Sequence, residues 1–455
     1  MGGHDYSRPV EGYNLRTMPF RALVSYRSFT RRPLGLTLVV LTLSACANVT
    51  DPAVADTTST PSFPVATKLP LLRVTTNGNQ PITSREVYLA GSYTLTDTTA
   101  EKLAEGPLDI RGRGHSTWDL MPKKPYRVRL TTSTLLMGMP ASRHWVLLAN
   151  YSDKTLLRND VAFEFSRVLG MEWTPRSRFV DLELNGSYQG VYQLTEHVRI
   201  SPDRVNIPEL KIADTSATNI TGGYLIEVDE RRGEDFCFNS TVTTMIFCLS
   251  NPETLNDPAW AKQRAYITSY IARIDSVLFS PQFADPQTGY AAYIDVESAI
   301  SYYVLNEYFK NVDGNLRLST FLYKKRGGKL TFGPVWDFDL AMGNVNYDNA
   351  DKTEGWHIRT APWFSIMFQD PAFAARVKAR WNQMVADNTL NKLGDYITAR
   401  TAFMHTVQTR NFERWPILNT WVWPNRVVTG SYDGEINAMR NWLFARRVWL
   451  TDQLR

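Results

Sequence analysis

Between Asn311 and Asp339 the chain reads as an acid loop, a strand, a tight turn, a second strand and another acid loop. The segments are Asn311-Val312-Asp313-Gly314-Asn315, Ser319 to Lys325, Arg326-Gly327-Gly328, Lys329 to Phe332, and Gly333-Pro334-Val335-Trp336-Asp337-Phe338-Asp339. A hairpin sets its two ends side by side, so Asp313 and Asp337, 24 positions apart, are expected to be neighbours in space. Taken singly, an Asp at a hairpin end more often satisfies local backbone donors than does chemistry. Here both lie in apolar surroundings, where a bare carboxylate is costly, and that favours a functional pair.

Such a pair suits phosphoryl transfer. One carboxylate stands near the attacking hydroxyl and the other holds Mg²⁺ against the phosphates, because the barrier falls mainly through positioning and charge neutralisation. Protein kinases place their catalytic-loop and metal-binding Asp in this same order. The surroundings predict an α+β fold. Leu71 to Val74, Glu86 to Leu89, Tyr126 to Leu130, Phe179 to Leu184 and Gly190 to Leu194 alternate as half-buried strands do, and Asn185-Gly186 is a hairpin turn. Helical spacing predicts helices over Thr155 to Leu169, Ala259 to Leu278 and Val296 to about Lys310, and a mostly helical chain after Pro362. The expected architecture is a β-rich N-terminal lobe followed by a helical C-terminal lobe, with the chemistry between them.

The leader reads as a targeting signal. Arg31-Arg32 precede an apolar run from Leu34 to Leu43 that ends at Leu43-Ser44-Ala45-Cys46, the lipobox pattern. A run of about ten apolar residues is too short to span a bilayer and suits a signal-peptide core. Residues 1–46 are thus expected to be a lipoprotein signal peptide, with Cys46 lipidated and holding the chain to a membrane. The competing reading is a short buried helix with an ordinary cysteine. Residues 47–68, rich in Ala, Thr, Ser, Pro and Asp, suit a flexible tether. Ala47, in place of the Asp that marks inner-membrane retention, directs the expectation to an outer membrane, on its periplasmic or surface face. The leader also carries four of the five net positive charges, so the rest is nearly neutral and no nucleic-acid partner is expected. Cys237 and Cys248 would pair in an oxidising compartment; two buried free thiols are the alternative.

Several stretches, in order, look like the successive motifs of the CotH (spore coat protein H) kinase family. They are Arg111 to Trp118, Pro122 to Arg127, Leu147 to Asn159, Asn185 through Glu196, and Asn311 to Asn344. They cover most of the stretch from 70 to 350. The resemblance implies a divergent protein-kinase-like fold, with a core over 69–350 and a helical part of the same fold over 351–455. It implies an enzyme that uses ATP and Mg²⁺ or Mn²⁺ to phosphorylate Ser or Thr of cell-surface or exported proteins; the acceptor protein itself is not legible.

Carried onto this sequence, Asp313 matches the family's catalytic Asp and Asp337 its metal-binding Asp, with Asp339 and Asn344 as helpers at the metal. Lys124, in a strand, suits phosphate contact as a point charge, with Lys123 facing the other way. Lys154 and Arg158, one helical turn apart, suit phosphates or a carboxylate partner. Glu196 and Glu227 are candidates to pair with one of these cations. Arg113, within Arg111 to Gly114, belongs to a loop whose glycines let backbone amides approach phosphates. The sequence departs from the kinase pattern at Leu318, where the Asn five positions after the catalytic Asp is absent. That departure leaves a rival, a catalytically weak family member acting in surface binding or assembly. An aspartyl-phosphate phosphatase, built on Asp337-Phe338-Asp339, lacks a downstream acidic pair. Trp415, Trp421, Trp423, Trp442 and Trp449 are expected to pack helices, with a sugar-binding platform as the alternative.

Overall fold

The computed structural model describes residue 66 and residues 68–233 and 236–455; the leader, Cys46 and most of the expected tether lie outside the described residues. Seven strands come first: β1 (Leu71–Thr76), β2 (Leu89–Thr96), β3 (Lys102–Gly112), β4 (Tyr126–Leu136), β5 (Met139–Leu148), β6 (Ser177–Leu184) and β7 (Ser187–Glu196). They form a closed barrel in the order β1-β2-β3-β4-β5-β7-β6. The ring is completed by parallel pairing of β1 with β6, Leu71 opposite Asp181 and Val74 opposite Leu184. Inward positions alternate along each strand, so Leu72, Val74, Leu108, Ile110, Tyr126, Val128, Trp145 and Leu182 fill the interior as a core of their own. The turn between β6 and β7 has Asn185 and Gly186 both at positive φ, 50° and 76°, as a two-residue hairpin demands.

The strand expected over Glu86 to Leu89 is corrected: only Leu89 joins β2. The amides of Glu86 and Val87 instead donate to Ser84 Oγ, each at 3.0 Å, in a side-chain-closed turn that takes them from any ladder.

A second sheet has the order β12-β11-β8-β10-β9, from β8 (Tyr224–Val228), β9 (Cys237–Asn239), β10 (Ile246–Asn251), β11 (Thr320–Lys324) and β12 (Leu330–Phe332). β11 and β12 form the hairpin of the acid-loop stretch, Leu322 opposite Phe332. A disulfide joins Cys237 on β9 to Cys248 on β10.

The helices are α1 (Ser116–Leu120), α2 (Arg158–Val168), α3 (Ala261–Leu278), α4 (Val296–Phe309), α5 (Pro362–Met367), α6 (Pro371–Ala386), α7 (Thr389–Met404), α8 (Gln408–Arg414) and α9 (Tyr432–Gln453). The chain is therefore a mixed α+β protein, β-rich in its N-terminal part and helical in its C-terminal part. Among the described residues no helix is long and apolar enough to cross a membrane. α2 starts three residues later than its spacing predicts. The Asp153 carboxylate accepts from the amides of Thr155 and Arg158, at 3.0 and 2.9 Å, and Leu156 sits at φ 59°, which no right-handed helix admits. Lys154 is thus off the helix, and the shared face expected for Lys154 and Arg158 does not exist. α4, buried along nearly its whole length, begins on an Asp295 cap to the Ser298 amide at 3.0 Å and stops where Lys310 turns left-handed. Asp313 follows three residues later.

Candidate active site

Asp313 lies in the loop after α4 and Asp337 in the loop after β12, and both line one cleft of about 470 Å³ with Asp339. β8 and the loop after it add Glu227, Asp229 and Arg231; the end of β3 adds Arg113. The volume suits a nucleotide-sized ligand.

The loops are held by close packing. Gly314 permits the Asp313 turn, because a Cβ there would come within 2.2 Å of Asn306 Oδ1. Asp337 itself is at φ 65°, an unfavourable conformation that persists only when the surroundings over-determine it. Those surroundings are visible. The next amide, of Phe338, donates to Asn159 Oδ1 at 2.8 Å, and Phe338 and Trp336 are buried. Asn159 donates to Asn150 Oδ1 at 3.2 Å, and Asn150 donates to Gln193 Oε1 at 3.1 Å, so a line of buried amides runs from barrel strand β7 through α2 to the acid loop. On the other side Ser319 Oγ donates to Asp337 Oδ2 at 3.3 Å and accepts from Arg231 at 2.9 Å. Arg231 also grips Asp229 through its Nε, at 2.8 and 3.0 Å.

The electrostatics are those of a site short of positive charge at its acidic end. Burial, then the charge of Asp337, pushes the Asp313 carboxyl up to about 7, against the pull of Arg231. Burial, with Asp337 and Asp313 beside it, raises Asp339 well above the usual carboxylate range. Arg113 is lowered by burial despite Asp337 and Glu227, and its guanidinium lies 5.4 Å from the Trp336 ring centre. A divalent cation at these acids would relieve the repulsion. Among the described residues no three acidic, His or Cys side chains converge as a ready-made metal cage.

Of the residues singled out in the sequence, Arg113, Glu227, Asp313, Asp337 and Asp339 meet in the cleft, with Cys248 in its wall; Lys124, Lys154, Arg158, Glu196 and Asn344 do not line it. Lys124 precedes β4 rather than lying in it, and its ammonium donates to the Trp118 carbonyl beneath the Trp118 ring. Lys123 does turn the other way, buried against Val191 O and Asn411 Oδ1. Lys154 donates to Thr420 O at 2.7 Å. Arg158 is buried in an ion pair with Asp153 and donates to Ala341 O at 3.0 Å, fastening the chain just past Asp339. Glu196 is buried against Arg176 at 2.9 Å and Arg204 at 3.6 Å rather than any of the expected cations. Asn344 is also corrected as a metal helper. It does not line the cleft; its amide nitrogen donates to Ser152 O and Asp339 O and its oxygen accepts from Asn425.

Asp229, Arg231 and Ser319 were not singled out. Alternation along β8 could have found two of them, since Glu227, Asp229 and Arg231 are two apart at a strand end. The family model described as CotH kinase protein matches residues 110–450. No curated protein matches the chain.

Proposed function

The chain belongs to the CotH kinase protein family, and from that premise we propose that it is an ATP- and divalent-metal-dependent kinase acting on Ser or Thr of exported or cell-surface proteins. The observation that carries this reading is the joint placement of Asp313, with its raised pKa, and the strained Asp337 in one cleft. Asp313 orients the acceptor hydroxyl and takes its proton, a role that suits a carboxyl titrating close to neutral pH. Asp337, with Asp339, would hold the divalent ion, which when bound neutralises charge on the transferring phosphoryl group. Arg113 and Arg231 replace the expected lysine as the cations facing the phosphates. Asp229 fixes one guanidinium of that pair, and Arg supplies a planar fork where Lys offers a point charge. The architecture we assign is a divergent kinase-like fold over 69–455.

We place the protein outside the cytoplasm, lipid-anchored at Cys46. The Cys237–Cys248 disulfide supports an oxidising compartment. The test is transfer of γ-phosphate from ATP to generic acceptors with Mg²⁺ or Mn²⁺. Incorporation lost in both Asp313→Ala and Asp337→Ala supports the assignment. No incorporation, together with no nucleotide-induced rise in melting temperature, favours a surface-binding or assembly role.

A further inference from the structure

The barrel matches one outward-facing arginine of β4 and leaves the next unmatched. Tyr126 and Val128 point inward, so Arg127 and Arg129 point out, each opposite a residue of β3. Arg129 stands opposite Asp109 and donates to its carboxylate at 2.8 Å. Arg127 stands opposite Arg111, and both line the 470 Å³ cleft. Like charges directly opposite on neighbouring strands are destabilising, and an anion held between them would offset that. Outside the acidic end, the carboxylates lining the cleft are Glu86 and Glu253, both exposed. Glu253 reaches Arg127 only at 3.9 Å, a weak surface contact.

The pair belongs to a row. Arg113 follows β3 and Arg199 follows β7, both in the cleft wall. Arg113 is lowered by burial and by Arg127, against Asp337 and Glu227; Arg199 is lowered by burial and by Arg127, against Glu253. Guanidiniums therefore run from the Asp337 end through Arg113 and Arg127 to Arg199. A nucleotide base needs apolar surface to lie on. Leu148, Val198, Phe321, Trp336 and Leu340 line the cleft but are at most 7% exposed, and Arg113 already lies over the Trp336 ring. Arg127 keeps 22% of its side chain accessible and Arg85 31%. What the wall offers a guest is planar donor groups suited to phosphate oxygens.

We propose that the cleft recognises its phosphoryl donor by the phosphate chain and not by the base, so that inorganic tripolyphosphate and longer chains serve alongside nucleoside triphosphates. Arg111, Arg127 and Arg199 hold the phosphates beyond the one transferred. The bond from the terminal phosphorus to its bridging oxygen breaks, and one from the acceptor hydroxyl oxygen forms. The hydroxyl proton goes to Asp313, and the electron pair leaves with a chain one phosphate shorter. The transfer rests on the kinase reading; the binding of the chain does not.

Binding and transfer are therefore measured separately. By titration calorimetry with Mg²⁺, ATP, GTP and tripolyphosphate are expected to bind within about threefold of one another, and adenosine not at all. Arg127→Gln should weaken all three by about tenfold, the scale of one charge-assisted contact. Without ligand that variant should melt no lower than the native protein, because the substitution removes a repulsion. Arg129→Gln, outside the cleft, should leave the three affinities within about twofold. With terminally ³²P-labelled tripolyphosphate, label is expected on a Ser peptide, with pyrophosphate released. ATP bound more than about tenfold tighter than tripolyphosphate, or adenosine bound alone, overturns the proposal and leaves the kinase reading standing. Transfer from ATP but not from tripolyphosphate does the same. Donor affinities unmoved by Arg127→Gln, or a rise confined to the peptide KM, take the row away from the donor and also overturn it. Tripolyphosphate binding with no transfer from either donor overturns the kinase reading and leaves a polyphosphate-binding cleft.

Discussion

The molecule buries acidic side chains in two ways. Glu307, on α4, is 1% exposed, and its carboxylate accepts from the amides of His357 and Arg359, each at 2.8 Å, and from Arg446 at 2.6 Å. Its oxygens are met on both sides, and the pair fastens residues 353–359 to α4 and α9. Asp313, Asp337 and Asp339 stand close by in sequence but meet chiefly one another, with arginines at a remove and no ion pair of their own among the described residues. The first arrangement is what a fold does with a buried charge for its own stability. The second is met by raised carboxyl pKa values, the pattern that clusters at functional sites.

That contrast is breakable by mutation. Asp337→Asn is expected to lower transfer by about a thousandfold, the scale of a lost transition-state charge contact, while leaving unfolding in denaturant unchanged or slightly harder. Glu307→Gln should do the reverse, strand the buried Arg446 guanidinium, and cost about 3 kcal/mol of stability. If Asp337→Asn destabilises as much as Glu307→Gln, the acids of the cleft are structural and the distinction fails.

The acidic end also predicts a pH dependence. The folded-state pKa of Asp313, about 7, lies above its ordinary 3.8, so the metal-free native state binds that proton more tightly than the unfolded chain. Its contribution is fully present below pH about 4 and is lost as pH rises through 7. After discounting for the access Asp313 keeps to solvent, the loss should be about 1–2 kcal/mol. Melting temperatures from pH 5 to 8 would show it, and Asp313→Asn, or saturating Mg²⁺, should flatten that slope. A slope unchanged in Asp313→Asn would assign the effect elsewhere. On the cationic side, Arg113→Gln is expected to weaken nucleotide binding about tenfold with little change in melting temperature. Equal binding by titration calorimetry would take Arg113 out of the phosphate contacts.

The acid-loop hairpin was legible because its information is local: Gly327-Gly328 make the turn, and the strands on either side place both acids at one end. The Asn185-Gly186 hairpin was legible for the same reason. The barrel was not, since its closure depends on β1 meeting β6 more than a hundred residues later, and no side chain in Leu71 to Val74 announces that partner. In the site, the acids were easier than the cations. A carboxylate in an apolar loop has few local ways to be satisfied, whereas a long basic side chain can be absorbed by any carbonyl in reach. Lys124 is taken by Trp118 O and Lys154 by Thr420 O, and sequence shows neither carbonyl. Asn344 misled for a related reason, because an amide beside two acids looks like a ligand until its Ser152 and Asn425 contacts are seen.

The smallest effect sharpens the comparison most. Asn159 touches no acid; it accepts the Phe338 amide and thereby holds the turn that keeps Asp337 at positive φ. Asn159→Ala leaves that amide buried without a partner and breaks the line from Gln193 through Asn150, at about 1–3 kcal/mol of local stability. The loop could then relax toward ordinary backbone angles and carry Asp337 out of register with Asp313. The expected result is about a tenfold fall in transfer, accompanied by a rise in the Mg²⁺ concentration needed for half-maximal activity, with ATP affinity nearly constant. A merely structural Asn159 would lower melting temperature without moving the Mg²⁺ requirement. Asn159→Gln, whose longer amide reaches the loop differently, should lie between, because it retains an acceptor but not its position.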